Sequence, residues 1–319
     1  MKKKIIITGA SGFLGSHILS KALTENFNVI ALINNRKIPD FIKDRNFKQV
    51  KCDIRDIDKL QKNLNDCHTV VHTAAKFKNE SDIKEINIDA TINLFKLASS
   101  QNVKQFIFIS TRGTIGIEQD VVDSNDHSTN FENHNFIDSY TNSKIIVERK
   151  LRNLSTETTT KLLILCPTAI IGPHDDMPTP IGGLIRYFKK NKMVFYLNGY
   201  FNLIDVRDIA NLCIQSIKNA PISGKYGIGN KNLSMTELIK IIKKNENETY
   251  IRIAISPSLI YLFTIIIRKI LGKSYLADLI DPYRIKRLKM GFSCFNSKIA
   301  KDEIGLKCRN IVETINDTI

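Results

Sequence analysis

The sequence Thr8-Gly9-Ala10-Ser11-Gly12-Phe13-Leu14-Gly15 decides how the rest of the chain is interpreted. It directly follows the apolar residues 5–7 and opens a segment of helical character, so it joins a strand to a helix. Gly9 permits a tight turn, Gly12 lets a phosphate approach the backbone, and Gly15 lets the helix pack on the strand. Because a helix N-terminus also offers free N–H groups, the stretch predicts a site for the pyrophosphate of a dinucleotide.

Short apolar runs alternate with helix-length segments over the first half of the chain. The runs predicted to be strands are Lys4–Thr8, Asn28–Ile33, Phe47–Cys52, Thr69–His72, Lys104–Ser110 and Lys161–Cys166. Apolar strands linked by helices imply a parallel sheet that is covered on both faces. We therefore predict an α/β chain with a doubly wound parallel-sheet Rossmann fold and a smaller mixed α/β C-terminal substrate domain.

The spacing of the pattern loosens beyond Gly172, where Pro and Gly become frequent. We predict an NAD(P)-binding domain at 1–171, to which 203–219 returns, and a mostly substrate-binding domain at 172–319. Helices are expected at Ile181–Lys190, Ser234–Lys244, Pro257–Leu271 and Ser297–Ile304. Ser234 and Glu237 have the spacing of a capping box.

Composition narrows the class of protein. The 319 residues are 43% apolar and 25% charged, which excludes collagen-like, disordered and disulfide-scaffold proteins. The net charge of +15 suggests a polyanion, but Lys and Arg are spread along the chain, so no nucleic-acid partner is predicted. Six scattered cysteines without metal-ligand spacing indicate reduced thiols in a cytoplasmic protein without a metal. The polar loop His174-Asp175-Asp176 is not assigned to a metal.

One apolar stretch, Leu259 to Ile267, raises the question of a membrane. It is too short to span a bilayer, so no transmembrane segment is predicted. Since Pro257 precedes it and Arg268-Lys269 follow, we interpret it as a buried helix of the C-terminal domain. A helix lying on a membrane surface over 257–271 is the alternative.

The end of the second predicted strand bears on the choice of dinucleotide. An acidic residue there would hold the ribose 2′-OH, whereas a basic one would accept a 2′-phosphate. The chain has Ile33-Asn34-Asn35-Arg36-Lys37, so NADP is favoured over NAD. A solvated loop cation is the alternative for Arg36. Asp53, after the third strand, is a candidate acceptor for the adenine amino group or, alternatively, a turn residue.

Tyr140-Thr141-Asn142-Ser143-Lys144 opens a predicted helix that extends to about Leu154. The i,i+4 spacing puts the phenol and the ammonium on one helix face. A neighbouring ammonium stabilises tyrosinate and moves the pKa of a tyrosine toward the working range of an acid–base catalyst. The same ammonium could hold the nicotinamide ribose. Ser110 and Thr111, at the end of the fifth strand, are both candidates for a hydroxyl that binds the substrate oxygen.

These elements resemble the extended short-chain dehydrogenase/reductase family, also known as the NAD-dependent epimerase/dehydratase family. The resemblance continues in Val71-His72-Thr73-Ala74-Ala75, in Asn87 and in Pro167-Thr168-Ala169-Ile170-Ile171-Gly172-Pro173. It implies that Thr111, Tyr140, Lys144 and Asn87 form the catalytic group, with Ser110 as second choice for the hydroxyl. The residues expected to contact the cofactor are Gly9, Ser11, Gly12, Phe13, Leu14, Gly15, Arg36, Asp53, Ile54, Thr73, Ala74, Ala75, Tyr140, Lys144, Pro167, Thr168 and Ile170.

Departures from the family pattern concern the substrate. Where nucleotide-sugar epimerases carry Arg-Asp, this chain has Phe201-Asn202, which weakens the nucleotide-sugar interpretation. Arg112-Gly113 follows Thr111 in place of the Asp-Glu of sugar dehydratases, so dehydration is not expected. Cys166 and Ile115 replace a usual Arg and Tyr. The run 172–210 looks most like the branch of dihydroflavonol-4-reductase-like proteins and hopanoid-associated sugar epimerases, with 3β-hydroxysteroid dehydrogenase-like proteins as neighbours.

The leading hypothesis is reversible hydride transfer between NADP(H), or NAD(H), and the carbonyl or secondary alcohol carbon of a small molecule. The first alternative is a sugar or nucleotide-sugar epimerase that keeps its cofactor tightly bound. The second is a non-catalytic protein that senses the cofactor. A homodimer formed through two long helices, here Ser81–Ser100 and Asp138–Leu154, is what the family resemblance implies.

Overall fold

A computed structural model describes residues 2–42, 46–77, 79–115, 138–176, 179–244, 250–256 and 295–318. Its strands are β1 (Lys4–Thr8), β2 (Asn28–Ile33), β3 (Lys48–Lys51), β4 (Thr69–His72), β5 (Gln105–Ile109), β6 (Lys161–Pro167), β7 (Ala169–Ile171), β8 (Met193–Leu197), β9 (Tyr200–Asp205), β10 (Gly224–Ile228), β11 (Lys231–Ser234) and β12 (Ile251–Ile255).

The α-helices are α1 (Phe13–Thr24), α2 (Ile57–Leu64), α3 (Glu80–Asp82), α4 (Thr91–Ser100), α5 (Ser139–Ser155), α6 (Pro180–Lys190), α7 (Val206–Lys218), α8 (Met235–Lys244), α9 (Lys298–Ile304) and α10 (Ile311–Asp317). A π-helical segment, Ile83–Ala90, joins α3 to α4, and 3₁₀ turns form at Asp40–Ile42 and Arg112–Thr114.

A seven-stranded sheet forms the centre of the fold. Its strand order is β10-β6-β5-β4-β1-β2-β3, and every described pairing in it is parallel. The chain order reverses between β1 and β4, which opens a crevice at the carboxyl ends of these strands. The predicted doubly wound Rossmann fold is thereby confirmed.

Alternate residues of the strands pack on opposite faces of this sheet. Ile5, Ile7 and Ile107 belong to an apolar cluster that includes the buried faces of α1 and α7. Ile6, Phe106 and Phe108 belong to a second cluster, with α2, α4 and α5. Because the inner strands β1, β2, β4, β5 and β6 are buried on both sides, their sequences are almost continuously apolar. The edge strand β3 is largely exposed and begins and ends with a lysine.

Smaller sheets follow in the second half of the chain. β11, β9 and β7 form one sheet and β12 pairs with β8, while a third apolar cluster packs α6, α8 and α10 on these strands. The capping box predicted at the start of α8 is present, since the Glu237 N–H donates to Ser234 Oγ at 3.2 Å and the Ser234 N–H donates to Glu237 Oε2 at 2.7 Å.

The sequence did not predict β10, which completes the central sheet beside β6. It also predicted one regular helix over Ser81–Ser100, whereas the structure widens that helix to π geometry at Ile83–Ala90. The helix predicted at Pro257–Leu271 lies outside the described residues. Among the described helices, none combines the length and apolar character needed to cross a membrane. The division into domains at 171/172 stays a prediction.

Replacing the cap of α8 should lower stability without altering the central sheet. Ser234→Ala removes the oxygen that accepts from the helix N-terminus, so we expect the free energy of unfolding to fall by about 1 kcal/mol. Urea unfolding followed by circular dichroism measures the change. Lys240→Ala, an exposed substitution in the same helix, is the control and should be close to neutral. Equal stability of the two variants would contradict the assigned cap.

Candidate functional site

The glycine stretch forms a turn with no room for side chains. Gly9 has a φ of +66°, and a Cβ on it would lie 2.8 Å from the Ala74 nitrogen. A Cβ on Gly15 would lie 2.1 Å from the carbonyl oxygen of Gly9. The Gly12 N–H donates to that same oxygen at 2.9 Å, and α1 starts at the next residue. The backbone therefore provides a cradle at a helix N-terminus, which fits a diphosphate.

The end of β4 is fixed against this cradle. Thr73 donates its hydroxyl to the Thr8 carbonyl at 2.7 Å, and the Ala74 N–H lies 3.3 Å from Thr8 Oγ1. His72 is fully buried, with its ring nitrogens 2.7 Å from Thr8 Oγ1 and 2.9 Å from Thr91 Oγ1. Burial lowers the pKa of His72 to about 3, so the ring is neutral and acts as a structural bridge. Ala74 and Ala75, predicted cofactor contacts, are half-buried beside it.

The far side of the crevice carries the groups expected at the adenosine end. Asn34, Arg36 and Lys37 are exposed after β2. The Asp53 carboxylate accepts from the Arg55 guanidinium at 2.9 and 3.0 Å and from Asn34 Nδ2 at 3.3 Å. These hydrogen bonds, chiefly from Arg55, lower the pKa of Asp53. Asp53 is thus an ionised acceptor at the expected edge, and the neighbouring Ile54 is buried.

Helix α5 brings the tyrosine and the lysine to the end of β5. Asp138 caps the helix by accepting from the Thr141 N–H at 2.9 Å. Lys144 is buried, and its Nζ donates to the Ile109 carbonyl at 2.8 Å. This nitrogen lies 4.4 Å from the Phe108 ring centroid and 5.8 Å from that of Tyr140. The predicted Tyr/Lys pair therefore shares one helix face at the carboxyl edge of the sheet.

Burial shifts the two pKa values in opposite directions. It lowers the pKa of Lys144 to about 8, although the nearby negative charge of Glu148 offsets part of the effect. It also raises the pKa of Tyr140 above its ordinary value, and the charge of Asp138 adds to that rise. The expected lowering of the Tyr140 pKa by Lys144 is not found, because burial and the charge of Asp138 raise that pKa. The phenol is protonated at neutral pH.

The two hydroxyl candidates at the end of β5 have different surroundings. Ser110 is buried and donates its hydroxyl to the Glu148 carboxylate. Thr111 is half-buried, and its Oγ1 accepts from the Gly113 N–H at 3.3 Å. Ser110 is thus engaged inside the protein, and Thr111 is the more accessible of the two.

Asn87 lies in the π-helical segment and clamps two parts of the site together. Its Oδ1 accepts from the Lys76 N–H at 2.8 Å, and its Nδ2 donates to the Lys76 carbonyl at 2.8 Å. Nδ2 also lies 3.2 Å from Ser143 Oγ on α5. These contacts connect the segment after β4 to the helix of Tyr140, and the catalytic role expected of Asn87 stays a prediction. Wide helical turns of this kind often mark functional sites.

The link between β6 and β7 lies at the same edge of the sheet. Thr168 follows Pro167, and its N–H donates to the Ile228 carbonyl at 2.9 Å. The Thr168 Oγ1 is buried and has no hydrogen-bond partner among the described residues. Ile170 is half-buried in β7. An unpaired hydroxyl at this edge fits the predicted contact with a polar ligand.

Phe77 is a neighbour of Tyr140 that the sequence interpretation missed. Phe77 is 69% exposed, and its ring packs against that of Tyr140 with the centroids 4.6 Å apart and the planes tilted by 33°. No periodic pattern marks a single aromatic residue after a strand, so the position emerges only from the fold. An exposed ring beside a candidate catalytic phenol offers an apolar surface to a ligand.

The polar loop after β7 is accounted for by local hydrogen bonds. The Asp175 carboxylate accepts from the Thr179 N–H and hydroxyl at 2.9 and 3.0 Å. In the part of the chain that the structure describes, no group of three or more His, Cys, Asp or Glu side chains could hold a metal ion.

Comparison with known proteins places this geometry in a family. The model of the NAD dependent epimerase/dehydratase family matches residues 5–229. A Synechocystis sp. protein provisionally named dihydroflavonol 4-reductase is 28% identical over 241 residues, covering 73% of this chain and 69% of that protein. A Methanocaldococcus jannaschii protein provisionally named UDP-glucose 4-epimerase is 28% identical over 257 residues, covering 75% and 81%.

Solved structures share the fold over almost the whole chain. The crystal structure of gox2253 has a TM-score of 0.82 at 22% identity, covering 99% of this chain and 97% of that one. MoeE5 in complex with UDP-glucose and NAD has a TM-score of 0.75 at 17% identity, with the same coverage. The chain belongs to the NAD-dependent epimerase/dehydratase family, which is the extended short-chain dehydrogenase/reductase family, and it is an NAD(P)-dependent oxidoreductase of that type.

Proposed function

We propose that the protein reduces a carbonyl group of a small molecule, or oxidises the corresponding secondary alcohol, with Tyr140, Thr111 and Lys144 as the catalytic residues. The observation that carries the proposal is the buried Lys144 ammonium, held by the Ile109 carbonyl within 5.8 Å of the Tyr140 ring centroid. The Tyr140 phenol, the Thr111 hydroxyl and the Lys144 ammonium thus lie together at the edge of the sheet where the glycine cradle also lies.

Each residue has a role that follows from its surroundings. Tyr140, protonated at neutral pH, donates its proton to the carbonyl oxygen during reduction and takes it back during oxidation. Thr111 hydrogen-bonds that oxygen and orients it toward the phenol. Lys144 holds the nicotinamide ribose and supplies positive charge beside the phenol as the proton leaves. When bound, the dinucleotide supplies or accepts the hydride.

The cradle of Gly9, Gly12 and Gly15 fits the diphosphate of a nicotinamide dinucleotide, because its tight backbone turn leads directly into the N-terminus of α1. We propose NADP as the preferred cofactor. Arg36 and Lys37 are exposed at the end of β2, where the sequence offers no carboxylate to hold a ribose 2′-OH. Two cations in that position favour a 2′-phosphate.

We propose a substrate other than a nucleotide sugar. Where the resemblance expects an arginine that grips a diphosphate, this chain has Phe201-Asn202, the second and third residues of β9. Asn202 is 7% exposed and bonds inward to Asn232 at 2.7 Å and to the Phe295 carbonyl at 3.3 Å. The exposed ring of Phe77 beside Tyr140 suits an apolar or unsaturated carbonyl compound. This choice of substrate class is supported by two relatives, which are named cinnamoyl-CoA reductase 2 in Medicago truncatula and tetraketide α-pyrone reductase 1 in Arabidopsis thaliana.

An epimerase is the second candidate, supported by the relative named for UDP-glucose 4-epimerase. An epimerase oxidises and re-reduces one carbon, so its nicotinamide survives purification and added NADPH is not consumed. A reductase consumes added NADPH in step with its substrate. Thermal shifts with NADPH, NADH and UDP-glucose, followed by NADPH oxidation with a panel of ketones, separate the two.

We further propose a cytoplasmic location, supported by Cys52, Cys67, Cys166, Cys213 and Cys308, which are free thiols in the described residues. A homodimer through the outer faces of α4 and α5, two helices that pack against each other, also belongs to this proposal. We also propose that the substrate binds against the strands and helices after residue 171 that lie outside the central sheet.

Tyr140→Phe should abolish turnover while leaving cofactor binding intact. Loss of the proton donor is expected to lower kcat roughly 10²- to 10⁴-fold on any ketone that the wild-type enzyme reduces, because general acid catalysis supplies that much. NADPH titration should give a wild-type Kd. Tyr226→Phe is the matched control, since that phenol binds Glu303 away from the cradle. Wild-type kcat in Tyr140→Phe would exclude the assigned acid.

Activity should decline as the pH rises through about 8. Burial lowers the pKa of Lys144 to about 8, so the ammonium is present below that pH and is lost above it. The pKa of Tyr140 is raised, so the phenol stays protonated through this window. A profile of kcat against pH for NADPH-dependent reduction measures the pH at which activity declines. The Lys144→Arg variant carries a cation that does not titrate in this range, so its residual activity should show no decline near pH 8. A wild-type profile that stays flat to pH 10 contradicts the assignment.

Arg36→Ala should weaken NADPH without weakening NADH. The loss of a charge-assisted contact to the 2′-phosphate corresponds to a roughly tenfold to hundredfold rise in the Kd of NADPH. Isothermal titration with both dinucleotides measures the ratio. Lys48→Ala, an exposed cation on β3, is the control. If both dinucleotides respond equally to Arg36→Ala, the preference for NADP is wrong.

A further inference from the structure

A buried ion pair joins α5 to β10 behind the candidate catalytic residues. Glu148 lies one helical turn after Lys144, and its side chain is 5% exposed. The Lys225 Nζ lies 2.6 Å from Glu148 Oε2, and the Lys225 side chain is 11% exposed. The same ammonium donates to the Thr114 carbonyl at 3.0 Å. One buried cation therefore contacts both the helix that carries Lys144 and the turn that follows β5.

The Glu148 carboxylate is the meeting point of several strand ends. Ser110, at the end of β5, donates its hydroxyl to Oε1, and Cys166 Sγ on β6 lies 3.7 Å from the same oxygen. Lys225 approaches the other oxygen from β10, where it pairs with Ile164 of β6. Three neighbouring strands are thus fixed to one residue of α5.

Such a pair is poorly explained by stability alone. Well-packed apolar residues of similar volume often stabilise a core as much as a buried ion pair does. The charged groups add geometric specificity that apolar side chains lack. The Lys225 ammonium binds two acceptors, Glu148 and the Thr114 carbonyl, and so fixes their positions relative to each other. The two acceptors here belong to the two segments that must meet for Tyr140, Lys144 and Thr111 to act on one atom.

We propose that Lys225 is a positioning residue of the active site, which fixes the helix of Tyr140 and Lys144 against the strand end of Thr111 by holding Glu148 and the Thr114 carbonyl. The inference rests on the proposed function, because it concerns the nicotinamide side of the same site. It assigns Lys225 no contact with substrate or cofactor.

The test compares a whole dinucleotide with its adenosine half. Lys225→Met removes the ammonium at similar side-chain length, Lys225→Arg keeps a cation, and Lys218→Met is the matched control, since it breaks an ion pair with Glu25 at the far ends of α7 and α1. Isothermal titration gives the Kd of NADPH and of 2′,5′-ADP, which lacks the nicotinamide ribose. Should the wild-type chain prefer NADH, NADH and ADP are the ligands.

Lys225→Met should bind NADPH about tenfold more weakly, the equivalent of one misplaced contact, and 2′,5′-ADP unchanged within about twofold. Lys225→Arg should restore NADPH binding, and Lys218→Met should bind both ligands normally. On a ketone that the wild-type enzyme reduces, kcat of Lys225→Met should fall by up to about a hundredfold, because small displacements of reacting groups have effects of that size.

Wild-type binding of NADPH by folded Lys225→Met overturns the inference, as does an equal loss of NADPH and 2′,5′-ADP. If Lys225→Met does not fold, the double variant Glu148→Gln/Lys225→Met decides, because it leaves no buried charge unpaired. That variant should show the same loss for NADPH alone, and normal NADPH binding by it overturns the inference. A wild-type chain that binds neither dinucleotide overturns the proposed function and this inference together, whereas normal Lys225 variants beside an inactive Tyr140→Phe overturn only the inference.

Discussion

The burial of the Lys144 ammonium is the constraint on which the site depends. Removing a cation from water costs several kcal/mol unless nearby groups replace the lost hydration. Here the Ile109 carbonyl accepts at 2.8 Å, the face of Phe108 lies 4.4 Å away, and the Glu148 carboxylate follows one turn later. These groups come from β5 and α5. The ammonium can therefore be buried only when the strand end and the helix are in register, and that register is also what brings Tyr140 to the end of β5.

The same burial explains why the Tyr/Lys pair differs from the expectation based on spacing alone. An i,i+4 lysine was expected to lower the pKa of Tyr140 by charge. In the structure the burial of the phenol is the largest influence, and the pKa of Tyr140 rises. The ammonium donates to the Ile109 carbonyl. The phenol is protonated at neutral pH at its ordinary pKa and stays so here, so the site starts with a proton that it can donate to a carbonyl oxygen. The surroundings of the pair, and not its spacing, decide the direction in which the pKa of the phenol moves.

The features that could be predicted from the sequence are those determined by residues close together in the chain. The glycine turn, the strands β1 to β6 and the capping box of Ser234 and Glu237 are each specified within a few residues, and the structure contains all of them. β10 was missed because Gly224-Lys225-Tyr226-Gly227-Ile228 lacks an apolar run and enters the sheet only by pairing with β6. Phe77 and the clamp of Asn87 were missed in detail because their partners lie 63 and 56 residues away in the chain. Tertiary contacts of that range leave no periodic signal.

The position of β10 also determines how the smaller sheet is connected to the central sheet. It is the edge strand of the central sheet, and residues 229–230 alone separate it from β11, which pairs with β9 in the smaller sheet. The Gly229 N–H donates to Ser297 Oγ at 2.8 Å, so this link is also held from the C-terminal segment. Any displacement of the smaller sheet must therefore act on β10. Because Lys225 of that strand holds Glu148 and the Thr114 carbonyl, the second half of the chain is mechanically connected to the helix of Tyr140 and Lys144, although it contributes neither residue.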